Sequence, residues 1–182
     1  MGSVPLLTTA RLVLRPLDID DAAAAQRLFP HWEIVRYLDK GAVPWPYPPD
    51  GAVTFFRDHA LPAMARGEEW TWTLRLKTAP DAMIGMIALQ DRADNHRGFW
   101  LGLPWQGQGY MTEACEAATG FWFDVLGRPV LRAPRATANL ASRRIAEKTG
   151  MRLVGRKTMD FVSGTMEAEI WEITREDWQA RR

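Results

Sequence analysis

A glycine-rich turn between a predicted strand and a predicted helix constrains this chain more than any other feature. The apolar run Gly98-Phe-Trp-Leu-Gly-Leu103 is typical of a strand, Gly107 and Gly109 follow it, and a helical pattern then begins. Such a turn leaves several backbone N–H groups without partners, and the helix dipole adds positive charge to them. The sequence therefore predicts an anion site at this strand-to-helix corner.

Hydrophobic periodicity predicts the elements on both sides of the turn. Helices are predicted over residues 19–29, 32–38, 50–66, 109–126 and 139–149. Strands are predicted over residues 11–16, 70–77, 83–90, 97–103, 130–137, 151–161 and 166–174. Because antiparallel strands are expected in the middle of the chain and a strand–helix–strand unit surrounds the turn, we expect an α/β fold with a mixed sheet. The period-two alternation of the 70–77 strand predicts that one of its faces is buried.

Composition limits the size and the class of the protein. The 182 residues are expected to form one domain, 1–182, and the net charge of +1 argues against broad nucleic-acid or membrane-surface binding. The single cysteine, Cys115, excludes an internal disulfide and a cysteine-based metal cluster, and no metal is expected. Since the N-terminal residues lack a signal-peptide pattern and no apolar run is long enough to span a membrane, we expect a cytoplasmic location.

The turn fits neither of the two commonest nucleotide-binding motifs. A P-loop requires G-x-x-x-x-G-K-[ST], which the chain lacks. A dinucleotide fingerprint requires a third glycine, whereas Tyr-Met-Thr follows Gly107-Gln-Gly109 here. Considered alone, the two glycines favour a tight turn without a ligand.

Three motifs, in order along the chain, resemble the GNAT superfamily of N-acetyltransferases and its RimJ/RimL-like branch. Gln106-Gly-Gln-Gly109-Tyr-Met111 resembles the family's Q/R-x-x-G-x-G/A acyl-CoA turn, and Arg11-Leu-Val-Leu-Arg-Pro16 resembles the first strand of the branch. The segment from Asn139 to Met151 resembles its N-x-x-S…E-K-x-G-F motif. The chain departs from the family pattern at Met111, where a small residue is usual, so this side chain must point into the core or away from the phosphates. Met151 stands where phenylalanine is usual, a tolerable change in volume.

The resemblance implies an acetyl-CoA-dependent N-acetyltransferase that works by direct attack in a ternary complex. It implies a mostly antiparallel central sheet of about seven strands flanked by helices, in which the 97–103 and 130–137 strands splay apart to admit the pantetheine arm. The residues expected to bind acetyl-CoA are Leu101, Leu103, Gln106, Gly107, Gln108, Gly109, Tyr110, Met111, Asn139 and Arg144. For Asn139 a helix N-cap is the alternative, and for Arg144 a charged helix face.

The candidate catalytic residues are Ser142 and His96. By resemblance Ser142 orients or protonates the departing thiolate, although a first-turn residue without chemistry explains it equally well. The ordinary pKa of a histidine suits deprotonation of an ammonium group through water, which makes His96 the candidate base. The alternative, which the sequence favours, is a solvated loop histidine. The tyrosine that many relatives carry four residues after the serine is Ala146 here.

Exposed aromatic residues suggest where the acceptor amine binds. Trp45 and Tyr47 lie in a proline-rich loop and, with Trp32, are expected to form one wall of the acceptor site; the alternative is that they only cover the edge of the core. The acceptor is either a protein N-terminal amine or a small-molecule amine. A CoA-binding module without turnover is the competing function, favoured by the missing tyrosine and by Met111. A homodimer is compatible with the sequence and is not required by it.

Overall fold

A computed structural model describes residues 4–181 as eight strands and seven α-helices. The strands are β1 (Leu7–Thr8), β2 (Leu12–Pro16), β3 (Glu69–Leu76), β4 (Ala79–Gln90), β5 (Arg97–Leu101), β6 (Val130–Ala136), β7 (Arg152–Phe161) and β8 (Gly164–Thr174). The helices are α1 (Ala22–Leu28), α2 (Trp32–Val35), α3 (Gly51–Phe55), α4 (Leu61–Arg66), α5 (Tyr110–Gly120), α6 (Leu140–Lys148) and α7 (Arg175–Ala180). The sequence did not predict β1 or α7.

The strands form two antiparallel sheets. The first has five strands in the order β1-β2-β3-β4-β5, and the second has three in the order β6-β8-β7. The predicted α/β fold with a mostly antiparallel sheet flanked by helices is thereby confirmed. The expected single sheet of about seven strands is instead divided between β5 and β6, because β6 takes β8 as its ladder partner.

The two sheets meet at His96 and then separate. The His96 N–H donates to the Arg132 carbonyl at 2.8 Å, and the Arg132 N–H donates to His96 Nδ1 at 2.8 Å. Beyond this contact no ladder joins β5 to β6 within residues 4–181. The predicted splay between these strands is therefore present, and it leaves one edge of β5 unpaired inside the molecule.

Both faces of β3 are buried, whereas the sequence predicted one. Trp70, Trp72 and Leu74 pack in the core cluster that includes α5. The alternate residues Thr71, Thr73 and Arg75 are also buried, since α4 packs against β3 and α1 against the neighbouring β4. The Thr71 and Thr73 hydroxyls on that face donate hydrogen bonds, and Arg75 forms an ion pair with the buried Asp21.

Several predicted helices are divided by local changes in winding. A 3-10 turn at Ile19–Asp21 precedes α1, a π-helical turn at Phe56–Ala60 joins α3 to α4, and another at Phe121–Val125 extends α5. The predicted strand at 97–103 ends at Leu101, and a 3-10 turn at Leu103–Trp105 follows it. This last turn connects β5 to Gly107 and Gly109, which precede α5.

Candidate active site

The glycine-rich turn has the backbone conformation that an anion site requires. Gly107 has a φ of 75° and Gly109, the N-cap of α5, has a φ of 83°, a region that other L-residues rarely occupy. None of the N–H groups from residue 107 through residue 112 donates to an acceptor in the described part of the chain. The turn thus presents a run of unpaired donors at the positive end of the helix dipole.

The large side chain of Met111 points into the core and not toward the outer side of the turn. Its side chain is 5% exposed and packs in the same cluster as Ala114, Cys115 and Leu101. The methionine therefore leaves the outer side of the turn open, which is one of the two orientations expected from the sequence. The buried thiol of Cys115 has its pKa raised by burial and stays neutral, as expected for a small core residue.

An ion-pair network supports the turn from the N-terminal strands. Arg11 Nη1 donates to the Gln108 carbonyl at 3.0 Å, its guanidinium lies 4.4 Å from the centre of the Tyr110 ring, and its Nε pairs with Glu113 at 2.8 Å. Burial opposes ionisation of Glu113, but hydrogen bonds from Thr9 and Arg11 hold its pKa below the usual value. The network fixes the carbonyls of the turn and leaves its N–H groups outward.

The unpaired edge of β5 continues the site toward the gap between the sheets. Gln90 N–H donates to the His96 carbonyl and Gly102 N–H to the Ile84 carbonyl, so the even-numbered residues of β5 pair with β4. The N–H groups of Phe99 and Leu101 consequently face the gap. The Leu101 carbonyl accepts from Gln106 Nε2 at 2.8 Å, which means that the Gln106 side chain stabilises the turn. The exposed side chain of Leu103 lies in the following 3-10 turn.

The start of α6 carries two of the predicted residues. Asn139 Oδ1 accepts from the Ser142 N–H at 3.2 Å, which makes Asn139 an N-cap. Ser142 is 5% exposed, and its hydroxyl makes no hydrogen bond within the described residues. Arg143 pairs with the buried Glu169 at 2.7 Å, whereas Arg144 is exposed and has no ion-pair partner in residues 4–181. Of the two arginines, Arg144 is the one free to bind a phosphate.

His96 occupies a structural position. Its Nδ1 accepts from the Arg132 backbone, its ring centre lies 5.1 Å from that of Trp122, and burial lowers its pKa. The ring is therefore neutral with its proton on Nε2, and the nitrogen that would act as base is already an acceptor. This geometry disfavours His96 as the base. The sequence could not reveal it, since it shows neither the pairing with Arg132 nor the packing on Trp122.

A cavity of about 430 Å³ lies between β3–β5 and the helical layer. Trp100, Met86 and Phe29 form apolar parts of its wall, and Tyr47 also lines it. Burial raises the pKa of Tyr47 to about 12, so its hydroxyl stays protonated. The rings of Trp32 and Trp45 pack against each other on the surface, with 5.8 Å between their centres, and neither residue lines the cavity. The structure thus places one of the three predicted acceptor residues at the cavity.

Glu69 is a residue of the cavity wall that the sequence did not single out. It is 7% exposed, its Oε1 accepts from Thr71 Oγ1 at 2.6 Å, and burial raises its pKa. The other two acids of the wall, Asp39 and Asp50, are exposed. Its position could have been noticed, because Glu69 alternates with Thr71, Thr73 and Arg75 along one face of β3. The sequence does not reveal, however, that this polar face is buried.

Residues 4–181 contain neither a metal-ligand cluster nor a membrane-spanning helix. Within this range no three His, Cys, Asp or Glu side chains are grouped closely enough to hold a metal ion. No helix in the same range has the length and apolar character needed to cross a bilayer.

Known proteins share both the family pattern and the fold. A family model described as an acetyltransferase (GNAT) domain matches residues 11–152. The ribosomal-protein-S5-alanine acetyltransferase from Vibrio fischeri has a similar structure, with a TM-score of 0.79 at 14% identity over 96% of this chain and 98% of that chain. RimL, a ribosomal L7/L12 alpha-N-protein acetyltransferase solved with coenzyme A, gives a TM-score of 0.71 at 18% identity over 94% and 97%. The microcin C7 self-immunity acetyltransferase MccE, solved with acetyl-CoA and AMP, gives a TM-score of 0.75 at 17% identity over 91% of this chain and 93% of that chain.

Proposed function

Because this chain belongs to the GNAT acetyltransferase family, whose enzymes use acetyl-CoA, we propose that it transfers an acetyl group to a primary amine by direct attack in a ternary complex. The observation that carries the proposal is the continuity of three features. Unpaired N–H groups at the 107–112 turn lead to the free edge of β5, and that edge leads to a cavity containing a buried carboxylate, Glu69.

In this proposal the turn and β5 hold acetyl-CoA. The backbone N–H groups of residues 107–111 bind the diphosphate, and glycine permits its close approach. Phe99 and Leu101 offer N–H groups to the pantetheine arm, in the manner of a short added strand. The free guanidinium of Arg144 adds charge near the phosphates, while Asn139 and Ser142 border the thiol end at the start of α6.

Glu69 is the base in this proposal. Acetyl-CoA supplies the thioester carbonyl, and an unprotonated amine is needed to attack it. A carboxylate whose pKa is raised by burial accepts a proton more readily than an exposed one, so Glu69 serves better than Asp39 or Asp50. The oxyanion that forms accepts from the β5 edge, and the Ser142 hydroxyl is available to the leaving thiolate.

The acceptor is a primary amine of a protein N-terminus or of a small molecule. RimL and the Vibrio fischeri enzyme are named for ribosomal proteins, whereas MccE was solved with AMP. The cavity of about 430 Å³ has the size of a small-molecule site and also of a pocket for one terminal residue.

Two measurements test the proposal. Calorimetric titration compares acetyl-CoA with S-acetylpantetheine, which lacks the diphosphate; we expect acetyl-CoA to bind at least tenfold more tightly. Thiol release is then followed over a panel of amino acids, polyamines and short peptides. Steady release with any amine supports an enzyme. Tight binding without release from any of them would favour the CoA-binding module, and equal affinity for the two thioesters would contradict the role of the turn.

A further inference from the structure

Two arginines lie next to each other in the gap between the sheets without a carboxylate partner. Arg97 belongs to β5 and Arg135 to β6, and neither forms an ion pair within residues 4–181. Arg97 is buried and Arg135 is half-buried. Removal from water penalises a positive charge that is not neutralised, so proteins rarely place one in such a position. The arrangement therefore calls for an explanation.

Arg97 is accounted for by packing. It is 1% exposed, its Nη1 donates to Thr119 Oγ1 at 2.9 Å, and its Nη2 contacts Met151 Sδ at 3.1 Å. Thr119 belongs to α5, so these contacts hold the Arg97 guanidinium toward that helix, although the residue also lines the cavity. Arg97 thus contributes a fixed positive charge to the cavity wall.

Arg135 lines the cavity itself. Its Nη1 donates to the Pro134 carbonyl at 2.8 Å, its Nη2 donates to the Arg97 carbonyl at 3.2 Å, and its guanidinium lies 4.9 Å from the centre of the Phe99 ring. These contacts orient the planar group and occupy two of the roughly five N–H donors of a guanidinium. An oriented guanidinium with donors remaining is suited to a planar anion.

The charges around Arg135 do not neutralise it. Burial, and then repulsion by Arg97, lower the pKa of Arg135 to about 9, so it stays protonated at neutral pH. The nearby Cys115 thiol is neutral because burial raises its pKa. Glu69, the buried acid of the cavity, interacts with Arg92 and His59. A negative group supplied by a bound molecule would relieve the penalty.

We propose that Arg135 binds a carboxylate of the substrate, so that the enzyme prefers a reactant carrying one beside the reacting atoms. This proposal rests on the thioester-dependent transfer to an amine proposed above, and a preference for a dicarboxylic thioester would change the acyl group that is transferred. The carboxylate has two sources: the acceptor, as in an α-amino acid, or the acyl group, as in a dicarboxylic thioester.

Matched substrate pairs test the inference in the wild-type protein. Thiol release is measured with amino acids and their carboxamides as acceptors, and with acetyl-CoA and succinyl-CoA as thioesters. We expect kcat/KM to be at least tenfold higher for the carboxylate member of one pair. A preference among acceptors assigns the carboxylate to the amine, and a preference among thioesters assigns it to the acyl group. Equal rates for both pairs would overturn the inference and leave the acetyltransferase function standing.

Variants of Arg135 connect the preference to this residue. Arg135→Met removes the charge and keeps an apolar stem, and we expect the carboxylate preference to fall at least tenfold. Arg135→Lys retains a charge without the planar fork, and we expect it to recover part of the preference. Should Arg135→Met fail to fold, the Lys variant and the wild-type pairs still decide. A preference unchanged in both variants would overturn the role of Arg135, whereas no thiol release with any pair would refute the proposed function instead.

Discussion

In the proposed mechanism Glu69 serves chemistry at the expense of folding stability. It is buried, Thr71 Oγ1 is its one hydrogen-bond donor within residues 4–181, and its pKa is raised because burial disfavours the charged form. A group whose folded-state pKa is raised in this direction destabilises the protein increasingly as the pH rises through its unfolded pKa toward its folded one. The same shift makes the carboxylate a better base. Stability and activity should therefore respond in opposite directions when this residue is changed.

Glu69→Gln tests both responses. We expect kcat to fall by about 10²–10⁴-fold, the usual contribution of a general base. We expect the melting temperature to be at or above that of the wild type at pH 7 and to match it more closely below about pH 4, where both side chains are neutral. The matched control is Glu68→Gln, since Glu68 is exposed and its carboxylate forms an ion pair with the exposed Arg66. An unchanged acetylation rate in Glu69→Gln would remove Glu69 from the mechanism.

Tyr47 is positioned by the absence of a side chain at Gly51. A Cβ on Gly51 would lie 2.7 Å from two carbons of the Tyr47 ring, closer than atoms pack. We expect Gly51→Ala to displace the ring, to lower the free energy of unfolding by about 1–3 kcal/mol and to raise the KM for the acceptor. The control is Gly155→Ala in β7, whose Cβ would find an ordinary contact of 3.7 Å with Ile170. An unaltered acceptor KM in Gly51→Ala would place the acceptor away from Tyr47.

At the scale of elements, the strand-to-helix corner was predictable because its signal is local. Gly107 and Gly109 come directly before the start of α5 in the sequence, and the predicted turn into a helix is present, with a positive φ at both glycines. Features that depend on distant partners were not predictable. The sequence does not show that β6 pairs with β8, that helices cover the polar face bearing Glu69, or that the ring of His96 packs on Trp122.

Gly109→Val tests the turn as an element. Valine at a φ of 83° is strained by about 1–2 kcal/mol or more, and its Cβ would lie 3.3 Å from Arg11 Nη2. Relief of the strain must move the N–H groups, so we expect the Kd for CoA to rise by about tenfold or more. Gly127→Val is the matched control, since Gly127 has a φ of 66° with nothing within 4 Å of its Cβ. Equal losses of affinity in both variants would indicate a global effect of strain.

At the scale of the whole molecule, the proposed coenzyme site lies where, within the described residues, the two sheets lack a ladder of hydrogen bonds between them. The sheets meet at His96 and Arg132, share a core that includes Leu131 and Trp171, and leave the β5 edge open. A ligand that binds only the folded state stabilises it by mass action. Pairing with the free edge should therefore stabilise both sheets and not only the residues in contact.

Thermal unfolding provides the corresponding measurement. At a CoA concentration about 100 times its Kd, we expect a stabilisation of about 2.7 kcal/mol, or roughly 5–11 °C in melting temperature for a domain of this size. Tryptophan fluorescence can follow the transition because the chain has nine tryptophans. The Gly109→Val variant should show a smaller rise at the same CoA concentration. An increase as large in that variant as in the wild type would mean that CoA binds elsewhere.

Met111 links the surface of the protein to its interior. Its N–H belongs to the row of unpaired donors, while its side chain packs beside Ala114 and Cys115. The orientation of a donor on the outside thus depends on how well a thioether fits inside. A cavity created beneath Met111 by an interior substitution, many bonds away from any ligand, should weaken the hold on the coenzyme. Affinity for CoA then reports the packing of the interior as well as the chemistry of the binding site.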